Sequence, residues 1–169
     1  MNNPPAFKAI PMEESHAQVI CSWVYPPPYD IYKFPPWERM KSLEIEFGDP
    51  QLRREQYLSV LTPAGELAGF AQIFPMEGVS RLGIGMRPDW CGQGLGKSLV
   101  QTIVQEALRR YPGHEVDLEV LIWNERAIRT YEKAGFRITD QYELRTPEGK
   151  MPFYCMVYHN DKSHPIDET

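Results

Sequence analysis

The stretch 81–110, RLGIGMRPDWCGQGLGKSLVQTIVQEALRR, constrains this chain more than any other. Leu82, Ile84 and Met86 alternate with Arg81, Gly83, Gly85 and Arg87, a period of two that predicts a strand. Pro88 and Asp89 end it, and glycines follow at positions 92, 94 and 96. Leu95, Leu99, Ile103 and Ala107, flanked by Val100, Val104 and Leu108, then make an apolar stripe at helical spacing. Tyr111-Pro112-Gly113 stops that helix.

A strand, a glycine loop and a helix in this order favour one kind of ligand. The first turn of a helix leaves backbone N–H groups unpaired, and its macrodipole puts partial positive charge there. Glycines let a phosphate approach those amides with no Cβ in the way, and Lys97 adds a charge. An ordinary loop with turn glycines is the plainer reading, but the flanking elements favour the phosphate. Two familiar loops do not match. Gly96-Lys97-Ser98 has the ending of a nucleotide-hydrolase phosphate loop, but Cys91 stands where that loop needs its earlier glycine. The dinucleotide fingerprint G-x-G-x-x-G is replaced here by G-x-G-x-G.

The remaining pattern extends the unit in both directions. A short strand is expected at 7–10, a helix at 13–24 and a second helix at 37–47, with Trp37, Met40, Leu43 and Phe47 on one face and Gly48-Asp49-Pro50 as its stop. Strands at 56–61 and 67–74 form a hairpin, and 116–123 is a strand. A helix at 124–134 ends on Gly135 as a left-handed cap, and strands at 136–145 and 151–158 pair through Pro147-Glu148-Gly149. The helix between the strand ending at Arg87 and the next one is a crossover, so those two strands run parallel and the rest antiparallel. The expected fold is a mixed α/β sheet flanked by helices.

Length, charge and cysteine usage narrow the class. A chain of 169 residues makes one domain, spanning 1–169, with loose tails expected at 1–6 and 160–169. A net charge of −5 argues against a nucleic-acid surface. No apolar run suits a membrane span or a signal peptide. Cys21, Cys91 and Cys155 are an odd number without metal-ligand spacing, which suits a reducing cytoplasm. His16, His114, His159 and His164 are scattered and suggest no metal site.

The loop resembles the pyrophosphate loop of the GCN5-related N-acetyltransferases, Gln/Arg-x-x-Gly-x-Gly/Ala. Gly94 and Gly96 match, and Cys91 stands where the family usually has Gln or Arg. A second stretch, LEVLIWNERAIRTYEKAGF at 118–136, resembles the family's strand, Asn, helix with Tyr, and Gly-Phe ending. The resemblance implies a sheet splayed at its centre and acetyl-CoA as co-substrate. It implies that the pantetheine arm pairs with the strand at Ile84, Gly85 and Met86, and that the pyrophosphate is held by Cys91, Gly92, Gln93, Gly94, Leu95, Gly96 and Lys97. It also implies a cofactor contact for Asn124, which would cap the next helix in any protein.

Acetyl transfer to an amine requires one proton to leave the ammonium and another to reach the departing thiolate. Glu119 lies on the face of its strand opposite Val116, Leu118, Val120 and Ile122. A carboxylate in a central strand is costly unless solvated or used, and a salt-bridged glutamate explains it equally well. Glu119, Asn124 and Tyr131 are spaced as in the ribosomal-protein N-terminal acetyltransferases of this family, where the matching Glu and Tyr are base and acid. Ala127 and Tyr131 also form a plausible core pair at helical spacing. Cys91, near a helix start, is placed for a lowered pKa, but nothing else suggests a covalent role.

The segment WVYPPPYDIYKFPPW at 23–37 contains five prolines and no regular helix. It is either a stiff connector or the rim of an acceptor pocket, with Tyr25, Tyr29 and Tyr32 as walls and Asp30 as an amine anchor. Gly83 and Gly85 within a strand mark either tight packing against a helix or a bulge beside a ligand.

The sequence thus predicts an acetyl-CoA-dependent N-acetyltransferase working by direct attack in a ternary complex. The acceptor is a small-molecule amine or a peptide or protein N-terminal amine, with no nucleic acid and no membrane as partner, and a homodimer left open. The rivals are a non-catalytic acyl-CoA-sensing module, to which Glu119 and Tyr131 would be superfluous, and a nucleotide-binding oxidoreductase, weakened by the failed fingerprint.

Overall fold

A computed structural model describes residues 6–160; the tails expected to be loose lie almost wholly outside that range. Among these residues seven strands form one sheet: β1 (Lys8–Pro11), β2 (Tyr57–Leu61), β3 (Leu67–Met76), β4 (Val79–Met86), β5 (Glu115–Leu121), β6 (Phe136–Thr146) and β7 (Gly149–Tyr158). Their order is β1-β2-β3-β4-β5-β7-β6, with only β4 and β5 parallel, as the crossover requires.

The crossover is α4 (Gly96–Arg110), and α5 (Glu125–Ala134) packs beside it. Leu99, Val100, Ile103, Val104 and Ala107 of α4 are buried against Leu58, Ala71, Leu82, Leu118 and Met156 on one face of the sheet. Each such large side chain contributes ~1.5–3 kcal/mol relative to exposure. On the other face, α1 (Glu14–Cys21) and α2 (Trp37–Leu43) enclose a second core of Ile20, Met40, Phe47, Tyr57 and Phe70. No helix among the described residues is long and apolar enough to cross a membrane.

Several local expectations change. The second helix ends at Leu43 rather than at 47, where Glu44 turns left-handed (φ 50°), and Leu43 is 56% exposed. Phe47 reaches the core from a 3-10 turn, Glu46–Gly48. Gly48 makes this reversal possible, since a Cβ there would lie 2.1 Å from the Met40 carbonyl oxygen. Gly48-Asp49-Pro50, expected as the stop of the second helix, instead starts one that the sequence does not announce, α3 (Pro50–Gln56). Asp49 caps it by accepting from the Gln51 and Leu52 amides, and Pro50 occupies the first turn.

The structure explains one of the two strand glycines, Gly85; a Cβ on Gly83 would meet only ordinary contact with Gln72 at 3.7 Å. The β3–β4 ladder runs without a bulge from Gly69–Met86 to Met76–Val79. A Cβ on Gly85 would lie 2.1 Å from the Phe70 ring, so Gly85 answers to packing against a neighbouring strand rather than a helix.

Candidate active site

The sheet forks at its centre. β4 pairs with β5 only over Val79–Leu82 against Glu115–Leu118; beyond Leu82 it keeps only β3, and beyond Leu118 β5 keeps only β7. Arg87 donates its amide to Ala68 of β3, so by alternation Gly85 also faces β3 while Ile84 and Met86 turn their backbone groups into the fork. Of the three residues expected to meet the pantetheine arm, Gly85 is therefore bonded into the ladder with β3, and only Ile84 and Met86 aim backbone groups into the fork.

Beyond the fork lies the glycine loop. Gly92 and Gly94 both have φ of 77°, a conformation that other residues rarely adopt, and nothing lies within 4 Å of the Cβ either would carry. The first helical bond of α4 runs from the Leu99 amide to the Leu95 carbonyl, leaving the amides of Gly96, Lys97 and Ser98 without a helical acceptor. Space beside the glycines, free amides and the exposed Lys97 fit an anionic group. Gly96 is required for packing instead, because a Cβ there would lie 2.7 Å from the Thr130 methyl of α5. Gln93 is exposed and donates its side-chain amide to the Asp89 carbonyl. Burial raises the Cys91 thiol pKa, contrary to the expected lowering, because the residue precedes the helix by a full loop and turns inward.

Glu119 occupies the base of the fork, on the sheet face opposite α4 and α5. It is not a lone carboxylate. Arg81 Nη1 lies 3.3 Å from one oxygen, and the Tyr142 hydroxyl donates to the other at 2.5 Å. Arg81 also holds buried Asp117 through two bonds of 3.0 and 2.9 Å. That pairing, foremost the hydrogen bond from Arg81 to Asp117, raises the Arg81 pKa further. Burial and then Glu119 raise the Tyr142 phenol. Glu119 is thus salt-bridged and stands at the fork. The sequence reading missed Arg81, Asp117 and Tyr142. Arg81 and Asp117 carried a signal, as charged residues on the non-core faces of strands predicted to be parallel; Tyr142 carried none.

The segment 25–32 spans the mouth of the fork. The Tyr25 hydroxyl donates to the Met86 carbonyl at the end of β4 (2.7 Å), and the Asn124 side-chain amide donates to the Tyr32 hydroxyl just beyond β5 (2.9 Å). Tyr29 and Tyr32 pack on Trp123, with ring centroids 5.9 and 6.4 Å apart. Asp30 is exposed, and among the described residues it forms no salt bridge. Asn124 also caps α5, accepting from the Ala127 amide at 3.2 Å. Tyr131 packs edge-on against Phe136, and burial, with a smaller contribution from Tyr32, raises its phenol pKa. Glu119 and Tyr131 share no hydrogen bond.

Two clefts of ≈ 440 and ≈ 380 Å³ flank Val24 and are lined by none of the residues expected at the site. Among the described residues no three His, Cys, Asp or Glu side chains group as a metal site.

Comparison with known proteins places this geometry in context. A family model described as the acetyltransferase (GNAT) family matches residues 18–136. A chimera of the Vibrio cholerae spermidine N-acetyltransferase SpeG and hSSAT is 17% identical, with a TM-score of 0.72 over 90% of this chain and 95% of that one. A GNAT-family acetyltransferase from Bacillus anthracis is 12% identical, with a TM-score of 0.72 over 92% and 95%. The Vibrio cholerae spermidine/spermine N-acetyltransferase SpeG is 14% identical, with a TM-score of 0.65 over 90% and 91%. At these identities the likeness is one of fold. No curated protein matches the sequence.

Proposed function

This chain belongs to the acetyltransferase (GNAT) family, and from that premise we propose that it transfers acetyl from acetyl-CoA to a primary amine by direct attack in a ternary complex. The observation that carries this reading is the fork, where the Ile84 backbone groups and the Met86 amide turn away from β3 in line with the glycine loop, the Met86 carbonyl being taken by Tyr25. An extended pantetheine arm would pair there as an added strand. The amides of Gly96, Lys97 and Ser98, with the Lys97 charge, would bind the pyrophosphate.

The co-substrate supplies a thioester carbonyl open to attack. Glu119 takes the proton from the acceptor ammonium, freeing the lone pair that forms the new amide bond. Tyr131 gives its phenolic proton to the departing sulfur, and its raised pKa keeps that proton in place at neutral pH. Tyr25, Tyr29, Tyr32 and Asp30 frame the acceptor's entry, and Asn124 holds Tyr32 there while capping α5. The spermidine N-acetyltransferases among the structural neighbours make a polyamine the first acceptor to try. Free CoA thiol is measured across an amine panel of polyamines, small metabolites and peptides with free N-termini. Release that depends on one amine class supports the reading. CoA binding with no release for any amine identifies an acyl-CoA-sensing module instead.

A further inference from the structure

The glycine loop lacks the Gln or Arg that its family usually carries at the position of Cys91, so one cationic or polar contact to the pyrophosphate is absent from the loop itself. The structure brings a cation there from another element. Gly96, the first residue of α4, sits against Thr130 of α5. Arg126 lies one turn before Thr130 on the same helix face, and the Thr130 hydroxyl donates to its carbonyl at 3.0 Å. The Arg126 guanidinium is stacked on Tyr29, 3.8 Å from the ring centroid. Tyr29 belongs to the segment that Tyr25 ties to the Met86 carbonyl, and the Cys91 thiol lies 3.9 Å from that same oxygen.

Among the described residues this guanidinium forms no salt bridge; the neighbouring Glu125 is taken by Arg129 at 3.1 Å. Its field opposes the burial that raises the Cys91 and Tyr25 groups, so the charge acts at the start of the loop. A planar guanidinium presents paired donors matched to phosphate oxygens, and stacking on a ring fixes its orientation in advance.

We propose that Arg126 binds the pyrophosphate of the acyl-CoA, supplying from α5 the contact that Cys91 cannot make. This rests on the acetyltransferase reading, and the experiment separates the two. CoA and dephospho-CoA affinities are measured by calorimetry for the unmodified chain, Arg126→Gln, and Arg126→Gln combined with Cys91→Arg, with melting curves to confirm folding. Arg126→Gln weakens both ligands alike, by roughly tenfold or more for a charged hydrogen bond. Cys91→Arg restores most of that loss by returning the cation to the loop.

Unchanged affinity in Arg126→Gln overturns the proposal. So does a loss confined to CoA, which would place Arg126 on the 3′-phosphate, and so does a failure of Cys91→Arg to restore binding. If the folded, unmodified chain binds neither ligand, the acetyltransferase reading itself fails.

Discussion

Tyr142 donates its hydroxyl to Glu119 across an intervening strand: Tyr142 is on β6, Glu119 on β5, and β7 lies between them. The residue of β7 opposite Glu119 is Cys155, whose small side chain leaves room for the phenol to pass. With Arg81 on its other oxygen, Glu119 is held at the base of the fork from both sides. A carboxylate held in this way keeps one orientation.

Tyr142→Phe keeps the ring and removes the donor. A hydrogen bond to a charged group contributes ~1.5–3 kcal/mol, so a roughly tenfold or larger drop in turnover is expected near neutral pH. Steady-state rates beside a melting curve check this. A rate equal to that of the unmodified chain would show that Arg81 alone suffices to hold Glu119.

Glu119→Gln is expected to slow the reaction most near neutral pH, where the acceptor is chiefly an ammonium. Raising the pH deprotonates the amine independently and recovers part of the loss. The measurement is kcat/KM against pH for both proteins. A loss of equal size at every pH would assign Glu119 to structure, through Arg81, rather than to proton removal.

Tyr131→Phe tests the acid. A general-acid role predicts a fall in kcat of roughly 100- to 10,000-fold with acetyl-CoA affinity nearly unchanged, and partial rescue by a thioester with a better leaving group. A packing role against Phe136 predicts little change in turnover and a modest drop in stability.

Gly94→Ala places a methyl in the open space where the phosphate is expected and forces a non-glycine residue to φ of 77°. CoA binding should weaken severalfold or more, while the backbone strain costs about 1–3 kcal/mol and leaves the fold standing. Calorimetry on the folded variant decides; unchanged affinity would remove the loop from the binding site.

A pH effect on stability is expected at the end of α4. The hydrogen bond from Arg109, then the one from Arg110, holds the Glu106 carboxyl below its ordinary 4.5. The folded value is the lower one, so the contribution is fully present above 4.5 and is lost as pH falls through the folded value. Tm followed from neutral to acid pH should therefore fall less steeply below 4.5 in Glu106→Gln than in the unmodified chain. Parallel curves would show that the pair contributes nothing measurable.

What the sequence by itself determined is local. Alternation in Leu82, Ile84 and Met86, the glycines before α4, the Asn124 cap and the Gly135 turn (φ 113°) each depend on a few consecutive residues, whose backbone preferences and side-chain period do not need the rest of the chain. The parallel pairing of β4 with β5 follows from the crossover between them. Even here a local signal misled: Gly48-Asp49-Pro50 reads as the stop of the second helix, yet that helix ends at Leu43 and Asp49-Pro50 starts the next one.

Only the tertiary structure decided what surrounds Glu119 and Cys91. Tyr142 faces Glu119 because β6 carries a register shift between Ile138 and Asp140, which changes the rows its later residues occupy, and because β7 inserts between β6 and β5. Arg126 acts on Cys91 from α5, which packs against α4 where Gly96 leaves room for the Thr130 methyl. Such meetings join residues tens of positions apart, and they depend on strand order, register and helix contact at once. No window of sequence contains them, since each is a property of the packed sheet and not of any one segment.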